Sequence, residues 1–271
     1  MAITTHKIKN KKGKEKITML TCYDYQTALI LDEALVDILL VGDSLGNVVL
    51  GYDDTTMVTM DDMVHHTRAV ARGTKNAMVV SDMPFLSYHL GIEKTLQNAG
   101  KLIQAGAKAV KLEGGTSIVS QVKALTEAGI PVVGHLGLTP QSVNQLGGYF
   151  IQGKTAGAAN KMIEDALALE NAGAFSIVLE CIPSELAKII TQKVNVPIIG
   201  IGAGVDCDGQ VLVVNDMIGL TGGKPNTFVK RFANVNDVIK QAALQYIKEV
   251  KDSKYPADEH AFHSDEIKGV Y

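Results

Sequence analysis

Four carboxylates in this chain close short apolar runs. They are Asp43 in Val41-Gly42-Asp43-Ser44, Asp82 in Ser81-Asp82-Met83-Pro84, Glu113 in Lys111-Leu112-Glu113-Gly114 and Glu180 in Leu179-Glu180-Cys181. Gathering like charges is costly unless something neutralises them. A hard divalent cation bound through oxygens does this, and Mg²⁺ suits a site that also keeps water or substrate oxygens. Asp43, Asp82 and Glu113 are therefore the candidate metal set. The competing reading is that each acid caps the helix after it, which fits Asp43 better than Glu113, since Gly-Gly follows Glu113. Lys111 lies two residues before Glu113 and so shares its face of a strand. There it could hold a carboxylate or stabilise an enolate, or pair with a neighbouring acid. Glu180 has no other acid on the adjacent run, which makes it the candidate free general base. A helix-cap or ion-pair role is its alternative. His135, in Gly134-His135-Leu136-Gly137, could orient substrate or act as an acid, or be a hydrogen-bonded core histidine.

Two further motifs invite other chemistry. Gly42-Asp43-Ser44-Leu45-Gly46 matches the G-x-S-x-G nucleophile elbow and reads GDSL, so Ser44 could be an esterase nucleophile. Against this, the segment after Gly46 does not read as an immediate helix, and no acid–histidine pair follows in triad order. Gly200-Ile201-Gly202-Ala203-Gly204 could bind phosphate through backbone N–H groups, making the chain a non-catalytic anion binder. Tight packing explains it equally well. His65, His66, His260 and His263 have no partner motif and read as surface residues.

The elements that must position these residues are legible as alternation. Apolar runs occur at 17–20, 37–41, 77–80, 107–112, 131–133, 175–179, 197–201 and 211–214. They are continuous rather than alternating, as parallel strands covered on both faces require. Helical patterns fall between them, over 23–35, 60–72, 93–105, 118–128, 155–172, 185–193 and 236–250. Thr59 with Asp62 reads as a capping box. Only 202–210 is too short for a crossover helix. The long connections, 43–59, 136–154 and 215–235, all follow strands. Eight strand–helix units predict one (β/α)₈ barrel, whose chemistry sits at the C-terminal strand ends. The expected organisation is a single domain over 1–271, with a solvated Lys-rich lead-in at 1–15 and a tail at 252–271.

Composition narrows the class. The chain has 271 residues, a net charge of −3 and three cysteines, with 46% hydrophobic and 20% charged residues. Near-neutral charge argues against a binder led by phosphate neutralisation. No apolar run approaches the ~18 residues of a membrane span. An odd number of cysteines without C-x-x-C argues against a disulfide framework or zinc knuckle. The polar N-terminus does not read as a secretory signal, so a cytoplasmic protein is expected.

The ordered segments TCYDYQTA, VGDSLGNVVLGYDDT, SDMPF, KLEGG, GHLGLTPQSVNQLGGY, LECIP, GIGAG and TFVKRFANV span roughly residues 16 to 250. In this order the chain resembles the ketopantoate hydroxymethyltransferase family. The resemblance implies a TIM barrel of the phosphoenolpyruvate/pyruvate-type superfamily. It implies transfer of a hydroxymethyl group from 5,10-methylenetetrahydrofolate to 3-methyl-2-oxobutanoate, giving 2-dehydropantoate. It implies Mg²⁺ held by Asp43 and Asp82 with Glu113 at or near it, a 2-oxo acid held by Asp43, Ser44, Asp82 and Lys111, and Glu180 as proton acceptor. A homodecamer built from pentamers is likewise implied. A metal-dependent C–C lyase of the same superfamily remains the alternative.

Overall fold

Eight strands pair side by side in chain order and close on themselves. They are β1 (Ile17–Thr21), β2 (Ile38–Val41), β3 (Met78–Asp82), β4 (Ala109–Glu113), β5 (Val132–Gly137), β6 (Ser176–Glu180), β7 (Ile198–Ile201) and β8 (Gly209–Leu212). All pairings are parallel, and β8 returns to β1 with Ile17 opposite Gly209. The structure is a computed structural model that describes residues 2–267. Met1 and the last four residues of the expected tail lie outside the described residues.

The helices are α1 (Thr5–Lys11), α2 (Tyr25–Glu33), α3 (Leu45–Val48), α4 (Met60–Gly73), α5 (Ile92–Gln104), α6 (Val119–Glu127), α7 (Val143–Leu146), α8 (Ala156–Asn171), α9 (Ser184–Lys193), α10 (Val214–Met217) and α11 (Val235–Lys251). α4 opens with the expected capping box, Thr59 and Asp62 each accepting from the other's backbone N–H. The chain separates into two compact units. One runs to Val214 and includes Asn226–Val229; the other comprises Asn215–Pro225 and the chain from Lys230 onward. Within the second unit, Val235 and Asn236 bond back to the carbonyls of Ile218 and Gly219.

Strand parity explains what faces the barrel axis. Ile17 and Met19, Ile38 and Leu40, Met78 and Val80, Ala109, Val133, Val178, Ile199 and Val211 form one buried apolar cluster. Side chains two apart share a face. Continuing the same parity upward puts Asp82 above Val80, Lys111 and Glu113 above Ala109, His135 above Val133 and Glu180 above Val178. Register then sets Asp82 beside Lys111 and Glu113 beside His135. The axis is thus apolar at the floor and charged at the mouth.

The N-terminal lead-in keeps most of its side chains in solvent but is not only a solvated segment. It folds as α1, capped by Thr4, and drives a fully buried Ile8 into the floor cluster. Lys11 pairs with Asp37 at 2.6 Å and Lys12 with Asp208 at 2.7 Å. A Lys-rich helix whose one apolar side chain is Ile8 gives no periodic signal, which is why composition alone does not reveal it. Strand ends also differ from the apolar runs. β5 continues through Gly134 and His135, and β8 starts two residues before its run, because backbone pairing rather than apolarity sets both.

One buried acid ties the frame together. Asp32 on α2 accepts from the backbone N–H groups of Lys75, Asn76 and Ala77 and from the Asn76 amide, at 2.8–3.1 Å. Burial pushes its pKa up, but these donors outweigh it and hold the carboxyl below its ordinary value. A carboxyl lowered in the folded state contributes stability above its unfolded pKa and loses it as pH falls through the folded one. Asp32→Asn is therefore expected to cost roughly 3 kcal/mol at neutral pH. It should also lessen the loss of stability on acidification. Urea titrations at pH 7 and pH 3 check both; equal losses at the two pH values would contradict the assignment.

Candidate active site

The C-terminal ends of β2 to β6 bring the sequence-nominated residues together. Asp43 lies two residues past the end of β2, and its backbone N–H donates to Asp82 Oδ2 at 3.0 Å. Lys111 Nζ lies 3.3 Å from Asp82 Oδ1, 3.6 Å from Glu113 Oε1 and 3.2 Å from His135 Nδ1. His135 Nδ1 is 3.2 Å from Glu113 Oε1, and its Nε2 is 3.3 Å from Glu180 Oε2. Asp43, Asp82, Lys111, Glu113 and His135 are all buried. The Glu180 side chain keeps 18% exposure, so its carboxylate reaches the open mouth while the others sit beneath it.

The strand ends allow this close approach. Gly137, at φ +96°, lies where an added Cβ would stand 2.2 Å from the Glu180 carbonyl oxygen. Any side chain there would drive β5 from β6 just where His135 meets Glu180. Cys181, directly after Glu180, takes a left-handed φ of 49°. Gln152 N–H binds its carbonyl at 2.9 Å and holds that turn.

Electrostatics divides the acids. Burial, and then the charges of Asp82 and Glu113, push the Asp43 carboxyl well above the usual range. Burial raises Asp82 as well, with Lys111 opposing it. Glu113 goes the other way: burial raises it, but His135, Lys111 and the Gln141 N–H outweigh that and hold it low. His135 is pushed up to about 9; burial and Lys111 lower it, but Glu113 and Glu180 on its two nitrogens prevail. An imidazolium makes the Lys111 contact a repulsion that the flanking acids offset, whereas a neutral Nδ1 would accept from Lys111. The two carboxylates favour the imidazolium.

The expected three-acid metal set does not converge. Among the described residues, no three His, Cys, Asp or Glu side chains are placed to hold one metal ion. Glu113 is taken up elsewhere, with Oε1 toward Lys111 and His135 and Oε2 accepting from the Gln141 N–H at 3.1 Å. Asp43 and Asp82 remain as a pair. Asp82 Oδ1 is buried with no hydrogen bond, the Lys111 ammonium lying 3.3 Å off and out of line. An orphaned buried oxygen beside a second carboxylate fits Mg²⁺, which binds through one or two carboxylates and keeps its other positions for water and substrate. Asp43 is not a helix cap: Ser44 occupies the N-cap position of α3, with no side-chain cap bond.

Other expectations change. Glu180 is not free, since His135 stands against it. A one-turn helix, α3, does follow Ser44, contrary to the argument raised against the esterase reading. That reading fails on different ground: Ser44 Oγ is engaged by the Tyr23 hydroxyl at 2.8 Å, with no histidine as its partner. His66 is half-buried rather than a free surface residue, its Nδ1 2.6 Å from the Tyr23 carbonyl. In the Gly200–Gly204 loop, an added Cβ at Gly200 would stand 2.8 Å from Cys207 Sγ, and one at Gly202 would stand 3.1 Å from the Phe228 ring. Close packing accounts for those glycines. Sequence reasoning missed Tyr23, Tyr88 and Gln141. Tyr88 and Gln141 lie in connections outside any periodic pattern, where position after a strand was the only signal, and Tyr23 opens the expected 23–35 helical pattern two residues after β1.

A profile described as ketopantoate hydroxymethyltransferase matches residues 2–258. The chain belongs to the ketopantoate hydroxymethyltransferase family. A relative from Syntrophus aciditrophicus (strain SB), named 3-methyl-2-oxobutanoate hydroxymethyltransferase, is 59% identical over 96% of this chain and 96% of its own. One of the same name from Syntrophomonas wolfei is 58% identical, covering 93% of this chain and 92% of its own. Solved structures of 2,3-dimethylmalate lyase, a PEP mutase/isocitrate lyase superfamily member, and of phosphonopyruvate hydrolase with oxalate and Mg²⁺ superpose with TM-scores of 0.60 and 0.61. Each covers 97% of this chain and 93% of its own, at 15% and 12% identity. At that identity the likeness carries the barrel fold alone. Among the described residues, no helix of this ketopantoate hydroxymethyltransferase family member is long and apolar enough to cross a membrane.

Proposed function

We propose that this chain catalyses hydroxymethyl transfer from 5,10-methylenetetrahydrofolate to 3-methyl-2-oxobutanoate, with water, giving 2-dehydropantoate and tetrahydrofolate. The observation that carries the reading is the layering of the mouth. A buried, unsatisfied Asp82 oxygen beside Asp43 lies below a single part-exposed carboxylate, Glu180.

Asp43 and Asp82 would hold a divalent cation, Mg²⁺ in this proposal, with Glu113 fixing Lys111 and His135 beside it. Such a cation supplies Lewis-acid polarisation of the keto group, which acidifies the adjacent C3–H. Lys111, fixed by Asp82 and Glu113, donates to the substrate carboxylate or to the oxygen that gains charge at enolisation. Glu180 takes the C3 proton, and His135, with Nε2 3.3 Å from its Oε2, stands beside the carboxylate as a charge partner. The carbanion so formed attacks the folate-borne methylene. A C–C bond forms there as one of the methylene's two C–N bonds breaks, the freed nitrogen taking the proton removed from C3, and water then displaces the second folate nitrogen, leaving a CH₂OH group and tetrahydrofolate. Ser44, oriented by Tyr23, donates to substrate rather than attacking it.

The direct test is one incubation with both substrates, with and without Mg²⁺, assayed for 2-dehydropantoate. Formation that depends on both folate and metal is the expected result. Cleavage of the oxo acid without folate would instead support the lyase reading.

A further inference from the structure

The Asp43 carboxylate is held by a neutral side-chain amide. Gln141, buried in the connection after β5, donates both Nε2 hydrogens: one to Asp43 Oδ2 at 2.7 Å, the other to the Met83 carbonyl at 2.9 Å. Its Oε1 accepts from the Tyr88 hydroxyl at 2.8 Å, and its backbone N–H donates to Glu113 Oε2 at 3.1 Å. Tyr88, fully buried before α5, has its oxygen 3.2 Å from the Glu113 N–H, from which it accepts, and 3.1 Å from the Glu113 carbonyl.

The direction of this chain is fixed. A carbonyl and a carboxylate can only accept, so the Gln141 amide nitrogen must face Met83 and Asp43. The flipped amide would set Oε1 against both oxygens and turn the NH₂ onto Tyr88. The Tyr88 O–H, its oxygen already accepting from Glu113 N–H, has Gln141 Oε1 as its nearer acceptor. Donation therefore runs from the β4 backbone through Tyr88 and Gln141 and ends on Asp43 Oδ2. That leaves Oδ1 of Asp43 for a ligand and selects one face of its carboxylate.

We infer that Tyr88 and Gln141 are positioning residues that orient the Asp43 carboxylate toward the divalent cation. The inference rests on the metal role proposed above for Asp43 and Asp82. Partners that orient metal ligands typically contribute about 10–100-fold to metal affinity.

The test measures Mg²⁺ binding by calorimetry on the intact, substrate-free protein, with circular dichroism as a check on folding. Tyr88→Phe and Gln141→Glu should each weaken Mg²⁺ binding about 10–100-fold. The double variant should fall no further than the more impaired single, because both act through one amide. If Gln141→Glu does not fold, Tyr88→Phe alone still decides. Parental Mg²⁺ affinity in the folded Tyr88→Phe variant would overturn the inference. Asp43→Asn separates the two readings. If it too keeps parental affinity, the metal assignment itself fails; if it alone loses affinity, only the positioning role of Tyr88 and Gln141 fails.

Discussion

Glu180→Gln is expected to abolish exchange of the C3 proton of 3-methyl-2-oxobutanoate into deuterated water. The replacement is isosteric and leaves Asp43, Asp82 and Lys111 untouched. Oxo-acid binding should therefore stay within a few-fold of the parent. What disappears is the acceptor. A positioned general base contributes roughly 10²–10⁴-fold, so exchange should fall by about three orders of magnitude. The exchange is read by proton NMR without folate, which isolates proton removal from transfer of the one-carbon unit. Glu180 is singled out by its depth. The three acids below it are buried, whereas its side chain keeps 18% exposure at the level where substrate enters. Undiminished exchange in the variant would remove Glu180 from the base role and leave His135, 3.3 Å away, as the next group to examine.

The second large effect is expected from Asp82→Asn. The amide oxygen still accepts from Asp43 N–H, so the backbone tie survives. One negative charge is lost exactly where none of the neighbouring cations is in hydrogen-bonding line with Oδ1. Metal affinity should fall by at least about 100-fold, exceeding what loss of an orienting partner produces. Oxo-acid affinity should fall with it, because the metal and Lys111 bind the same ligand atoms in this proposal. Calorimetry with Mg²⁺, first alone and then with oxo acid, reads the two losses separately. Loss of oxo-acid binding with unchanged metal affinity would break the shared-site reading and leave Asp82 as a partner of Lys111 only.

Much of this was legible in the sequence, for a physical reason. Parallel strands covered on both faces must be continuously apolar, so a polar residue ending such a run marks the mouth. Asp82, Lys111, Glu113, His135 and Glu180 are all of this kind, and the period of two along a strand placed them on one face. What the sequence did not reveal was their division of labour. Whether Glu113 faces a metal or Lys111 and His135 depends on distances of a few tenths of an ångström between strands. The Gln141 contact with Asp43 joins residues 98 apart through a loop without periodicity. Ile8 was hidden for the opposite reason, as one apolar side chain among lysines.

The seal at the barrel floor bears on how the chain is made. Lys12 meets Asp208 across 196 residues, and β1 pairs with β8. During synthesis the first strand leaves the ribosome with one edge bare and stays so until β8 emerges. Closure is thus set by the most distant contacts in the chain, the kind that slow folding most. Until then a half-built sheet exposes the apolar floor that Ile8 will cover, the form most open to aggregation and to chaperone capture. A protein extended at its N-terminus would have to complete this last step with the added segment held clear of the floor.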